Sequence, residues 1–293
     1  MRFPLWLPAL AFLAYGTPLV QGEVEPPPQA VPLVEKKFEQ LSSKETSPLG
    51  TKALAIAPEK WKHAETDHFI VHFRRATEAQ RVVREVEYTL WFVAQSLGAT
   101  KERYAKKSHV YVFQDAQEWI TFRSVAEVPS WSGSFAMGDD LFLHVGGMGE
   151  EFDSHTLAHE TTHAVVARLY PRQRWPRWLN EGFAEYMGSA SQAARKGLWT
   201  KGLQQTLSEA TLPVAKLVSM EDYPKERVEV DRFYASSQKL VRFLMNSYPK
   251  DRFPKFVDAI LGGAKFEAAL LQVYGDQVQD YAAFTKRYER FVK

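Results

Sequence analysis

The spacing of apolar residues along the chain divides it into a strand-rich first half and a helical second half. Phe69-Ile70-Val71-His72-Phe73 alternates like a strand, whereas Glu78 to Leu97 repeats apolar positions at helical spacing and stops at Gly98. Val110-Tyr111-Val112-Phe113 predicts a second strand, Asp115 caps a helix running through Phe122, and Leu141 to Val145 predicts a third strand ended by Gly146-Gly147. Leu157, Ala158, Val165, Val166 and Leu169 then recur at helical spacing, with Asp153 or Ser154 as N-cap and Pro171 as the stop. A helix from about Trp178 follows. Further helices are predicted at Ser189 to Gly197, Phe233 to Met245, Phe253 to Leu261, Phe266 to Tyr274 and Val278 to Phe291, with a loop-rich stretch from Leu212 to Arg227. This order is α+β: an N-terminal mixed sheet with helices, leading into a mainly α-helical C-terminal half. The aromatics repeated through the helical half read as core.

The N-terminal stretch has a different pattern. Met1 to Gly22 carries one early charge, Arg2, then an apolar run from Phe3 through Tyr15 broken by Pro4 and Pro8, with small residues near Gly22. This reads as a secretory signal peptide, which implies a secreted, periplasmic or envelope-facing protein; an uncleaved N-terminal anchor is the competing reading and the only membrane contact expected. Residues 23–58 are rich in Pro, Glu, Lys and Ser and predict a linker or arm, with a short helix around Val34 to Leu41. An inhibitory pro-segment is the functional alternative. The main folded unit is expected over residues 59–293, as a sheet-bearing part to 188 and a helical part from 189.

Composition removes several classes of function. With 45% hydrophobic and 25% charged residues, a chain of 293 residues suits one globular unit of one or two subdomains. A net charge of +2 without a basic stripe offers no electrostatic case for nucleic acid. The absence of cysteine excludes disulfides, thiolate nucleophiles, Cys-ligated zinc and a lipoprotein anchor.

The remaining chemistry gathers at His159-Glu160-Thr161-Thr162-His163. On a helix the two histidines share a face, so both imidazoles reach one metal ion, and Glu160 beside the first can take a proton from water that the metal activates. Catalytic zinc takes three protein ligands, so a third is required. Glu181 is the first acidic residue after His163, 17 residues intervening, and Pro171 and Pro176 force a turn before it. A second helix starting near Trp178 returns Glu181 to the metal and sets Glu185 on the same face, where a carboxylate can hold a ligand histidine's outer N–H. A His155/His159 pair is the alternative, but only the later pair has a glutamate beside its first ligand, and His155 lies about 12 Å along the helix axis from His163.

His159-Glu160-x-x-His163 followed by Trp178-Leu179-Asn180-Glu181-Gly182-Phe183-Ala184 resembles the gluzincin zinc metallopeptidases, the group of thermolysin and the aminopeptidase N family, and most closely the small bacterial thermolysin-like, peptidase MA-like domains. The resemblance spans Ser154 to Tyr186 and, more loosely, the helix from Tyr234. It implies the zincin fold, His159, His163 and Glu181 as Zn2+ ligands, Glu160 as general base, and Tyr234 as donor to the oxyanion formed during hydrolysis. The chain departs in its shorter 17-residue gap and in Ser236-Ser237, where the aminopeptidases have Lys-Gly. Ser134-Phe135-Ala136-Met137-Gly138 lacks the glutamate that holds a free amino end there, so exopeptidase specificity is not implied. In this group the strand nearest the metal helix binds extended substrate; Ser134 to Met137 and Leu141 to Val145 are both candidates. His144, Trp131, Trp175 and Trp178 suit either cleft wall or core.

The expectation is a zinc-dependent peptidase acting on peptide or protein substrates. Two other readings use the same zinc core: a silent, zinc-stabilised binding or scaffold protein, and a hydrolase of a non-peptide cell-wall amide. Oligomeric state is not legible.

Overall fold

The computed structural model describes residues 33–128, 133–145, 154–195 and 211–292. Among them six strands build one mixed sheet: β1 (Glu35–Lys36), β2 (Lys62–Glu65), β3 (Phe69–Phe73), β4 (Ser108–Phe113), β5 (Ser134–Met137) and β6 (Asp140–His144), in spatial order β1-β2-β3-β4-β6-β5. β3, β4 and β6 are parallel, while β1, β2 and β5 each join antiparallel. Parallel neighbours need a crossover. One is α2 (Ala76–Ser96), between β3 and β4; α3 (Ala116–Ala126) lies on the other, with β5 added before β6. The fold is a mixed α+β architecture, as the sequence predicts.

Side-chain alternation gives each face of the sheet its own core. Val110 and Val112 of β4 and Leu141 and Leu143 of β6 belong to the large core shared with α2, α4 (Ser154–Leu169) and α5 (Arg177–Arg195). Tyr111, Phe113 and Phe142 instead pack with Trp61, Trp119 and Phe122. Because both faces are covered, every residue of β3 and β4 is buried, including the polar ones. His63, His72 and His109, on β2, β3 and β4, meet this constraint as a chain of imidazoles, with ring nitrogens 2.8 and 2.9 Å apart. Burial, and then the neighbouring imidazoles, push the pKa of His72 well down, and burial also lowers those of His63 and His109.

The segment expected as a linker or arm is part of the fold from residue 33 onward. β1 pairs with β2, a single 3-10 turn at Phe38–Gln40 stands where a longer helix was predicted, and α1 (Pro48–Leu54) follows. Ser47 caps α1 by accepting from the Gly50 amide at 3.0 Å and donates to Asp140 Oδ2 at 2.6 Å. The Pro-, Glu-, Lys- and Ser-rich composition predicts a linker or arm, but here the sheet edge and the carboxylates of Glu65 and Asp140 satisfy the segment's donors. Glu65 is one such anchor: it accepts from the Ser42 amide and pairs with Lys107 at 2.8 Å and Lys36 at 3.5 Å. Residues 1–32, with the expected signal peptide, lie outside the described residues, as do Trp131 and Asp153. No described helix is long and apolar enough to cross a membrane.

The helical half comprises α5, α6 (Val214–Val218), α7 (Arg227–Asn246), α8 (Arg252–Leu261), α9 (Phe266–Tyr274) and α10 (Tyr281–Val292). α5 runs unbroken through the point where the sequence predicts a new helix at Ser189. Gly188 does not interrupt it but lies against α4, where an added Cβ would meet His155 Nε2 at 3.0 Å. α7 begins at Arg227, ahead of the predicted Phe233, within the stretch read as loop. α5 and α7 are in close contact: a Cβ on Gly182 would meet the Ser237 carbonyl oxygen at 2.3 Å, and Tyr186 donates to Asn246 Oδ1 at 2.9 Å. Gln238 Nε2 also donates to the Glu185 carbonyl at 3.3 Å.

Two stability predictions follow from these contacts. Burial works against ionisation of Glu65, but the Lys107 hydrogen bond and charge and the Ser42 amide hold its carboxyl down at about 2, against 4.5 ordinarily. Its contribution is therefore complete above pH 4.5 and lost as pH falls toward about 2. Melting temperature should fall more steeply across that window in the wild type than in Glu65→Gln; parallel curves would refute the anchor. In Gly182→Ala, intrinsic helix propensity would favour the variant by about 1 kcal/mol. The clash with α7 should outweigh this and destabilise by about 1–3 kcal/mol, read by denaturant melts.

Candidate metal centre

α4 and α5 lie against each other, and each presents one half of the site. α4 is held at its C-terminal end by Arg168, which donates to Ser108 Oγ at 3.0 Å and sits over the Phe69 ring. Thr161 and Thr162, between the two histidines, are buried and donate to the carbonyls one turn back, each at 2.7 Å, so the helix can be inserted without orphaned hydroxyls. His159 and His163 then face α5 with their Nε2 atoms 3.0 Å apart.

Glu181 Oε2 completes a triangle, 3.6 Å from His159 Nε2 and 3.4 Å from His163 Nε2. Among the described residues this is the one His/Asp/Glu group whose donor atoms converge tightly enough for a metal ion. The donor set fits zinc, since a tetrahedral ion with ligands about 2.0–2.1 Å away holds them about 3.3 Å apart. Glu185, one turn on, brings Oε1 to 3.0 Å from His159 Nδ1 and Oε2 to 3.5 Å from His155 Nε2. His159 Nδ1 is buried and has no aligned hydrogen-bond partner, so Glu185 is its nearest support. His155 thus belongs to the flank of the site, not to the triangle.

Electrostatics favour a cation at this point. Burial opposes a charge on His159, but the Glu181 and Glu185 carboxylates raise its pKa to about 10. Burial also opposes ionisation of Glu181, and is overcome by hydrogen bonds from the two imidazoles and the charge of His163, leaving the carboxyl well below the usual range. Glu160 differs. There burial prevails over the attraction of both imidazoles and its pKa is raised, the direction that suits a proton acceptor near neutrality. Its Oε2 accepts from the Ala136 amide at 3.0 Å.

That bond identifies the strand beside the site. Of the two candidates, Ser134–Met137 is the sheet edge, β5, and Leu141 to Val145 lies mainly in the internal strand β6. A cleft of about 1240 Å³ opens here, lined by Ala136, Gly138, Glu160, Trp175 and Tyr234 among others. Tyr234 sits about two turns into α7 with its ring 6.4 Å from that of His159; burial, then the Glu181 charge, raise its pKa and keep its hydroxyl protonated. The other candidates fall apart: Trp175 lines the cleft, Trp178 is core against Phe266, and His144 stacks on Trp119.

One site residue escapes the sequence reading altogether. Tyr223, in the stretch taken as loop, donates its hydroxyl to Glu181 Oε1 at 2.5 Å and stacks on Tyr234. Nothing in its local sequence marks it; the only signal available was a lone aromatic between charged and proline residues.

Comparison with known protein families finds a match to the Peptidase MA superfamily over residues 93–293, more than half of the chain. The match begins inside α2 and takes in the metal triangle, Glu160, Glu185, Tyr223 and Tyr234. No curated protein matches the sequence. The converging ligands and the family match lead to one assignment: this chain belongs to the Peptidase MA superfamily.

Proposed function

We propose that the protein is a zinc-dependent metallopeptidase of the gluzincin type, with His159, His163 and Glu181 as metal ligands, Glu160 as general base and Tyr234 as oxyanion donor. The observation that carries this reading is the nitrogen–nitrogen–oxygen triangle of 3.0, 3.4 and 3.6 Å, with a buried, hydrogen-bonded Glu160 beside it. When bound, zinc supplies Lewis-acid polarisation of the scissile carbonyl and lowers the pKa of water toward neutrality. The Ala136 amide fixes Glu160 through Oε2, so that its other oxygen can take the proton of the attacking water and pass it to the departing amine. The Tyr234 hydroxyl, kept protonated, donates to the oxyanion.

The cleft supports a polymeric substrate. At about 1240 Å³ it exceeds the roughly 300–1000 Å³ typical of small-molecule pockets. With β5 at its wall, an extended peptide can lie against a sheet edge and be read through its backbone. The N-terminal apolar stretch adds a secreted or envelope-facing location to this reading.

The test uses the purified chain and Glu160→Gln at equal zinc content, each incubated with a complex peptide library and mapped by mass spectrometry. Wild type should carry close to one zinc per chain and cut peptides until a chelator removes it. Glu160→Gln should keep its zinc and lose at least about 10²-fold in turnover. Equal turnover in the two proteins would refute the assigned base, and a fully zinc-loaded wild type that cuts nothing would leave the zinc-stabilised scaffold or a cell-wall amide as the better reading.

A further inference from the structure

The two oxygens of Glu181 have separate environments. Oε2 faces both imidazoles, whereas Oε1 receives the Tyr223 hydroxyl at 2.5 Å. A carboxylate free to rotate would offer either oxygen, or both, to an ion. One held at Oε1 by a short hydrogen bond to a charged acceptor offers Oε2 alone.

We propose that Tyr223 is a positioning residue for the metal: it clamps Glu181 so that this ligand binds through Oε2 only. The proposal rests on the zinc-site reading given above. It differs from the role given to Tyr234, whose hydroxyl serves the reacting carbonyl; Tyr223 acts through the carboxylate of Glu181.

The surroundings of Tyr223 are built to hold it in place although the residue is 40% exposed. The Arg177 guanidinium lies 4.0 Å above its ring, and Arg177 Nε donates to the Glu221 carbonyl at 2.9 Å, fastening the loop that carries Tyr223 to the start of α5. On the other side Tyr234 stacks at 6.2 Å and Phe233 meets it edge-on at 5.9 Å. The clamp therefore joins the loop after α6, the first turn of α5 and the inner face of α7 at one carboxylate oxygen. The same loop gives Ser219, Met220 and Glu221 to the cleft wall.

Competition against a zinc chelator of known affinity, on the full chain, measures the effect. Residues that orient metal ligands typically govern affinity by about 10–100-fold, and Tyr223→Phe should weaken zinc binding by that factor while the metal-free variant melts as the wild type does. Arg177→Met, which removes the cation above the ring and leaves the hydroxyl, should shift affinity in the same direction by less, and it keeps the test alive if the first variant is poorly soluble. Wild-type zinc affinity in both variants would overturn the proposal. So would a lowered melting temperature of metal-free Tyr223→Phe with affinity unchanged, which assigns the tyrosine to the fold. A wild-type chain that takes up no zinc would overturn the site reading itself, a distinct result.

Discussion

Three glutamates, 160, 181 and 185, are held around two imidazoles in an interior where an unpaired charge is expensive. That arrangement needs positive charge among the carboxylates. A proton on His159 supplies part of it, and a divalent ion on the triangle supplies more while leaving both imidazoles neutral. Much of the surrounding fold serves to keep these five groups in contact: Arg168 fixes α4 to the sheet, Gly188 and Gly182 let α5 approach α4 and α7, and Gln238 ties α7 to the Glu185 backbone. The glycines are the sharper clue. Each weakens a helix interior, a cost accepted because a neighbouring helix stands where a Cβ would go.

The site also divides labour between carboxylates by environment. Glu181 and Glu185 are kept ionised by imidazoles, whereas burial prevails at Glu160 and its pKa rises. The side chain type is the same, and the difference comes from which groups point at it. Glu160 faces a backbone amide at a sheet edge, and so the proposed proton acceptor and the edge strand β5 share one boundary.

How far the sequence spoke depended on how local the determinants are. The strand Phe69–Phe73 and the helix Phe266–Tyr274 were legible to the residue because apolar period and flanking residues agree there. The two histidines and Glu160 were legible because helical geometry alone places them, and Glu181 and Glu185 because prolines announce the turn that returns the chain. β5 was harder: its edge position follows from β6 pairing with β4, a non-local choice. The arm misled because its polar residues are satisfied by partners far away in sequence, Ser47 by Asp140 and Ser42 by Glu65. Tyr223 was invisible for the same reason. Its partner Glu181 is 42 positions earlier, and only the packing of three helices brings the two together.

The central claim, that His159, His163 and Glu181 together hold zinc, is tested most directly by anomalous diffraction at the zinc edge from crystals of the zinc-loaded protein. The account predicts one strong peak within bonding distance of both Nε2 atoms and of Glu181 Oε2. A peak ligated by the His155/His159 pair, or no peak on α4 in a zinc-containing crystal, would contradict it.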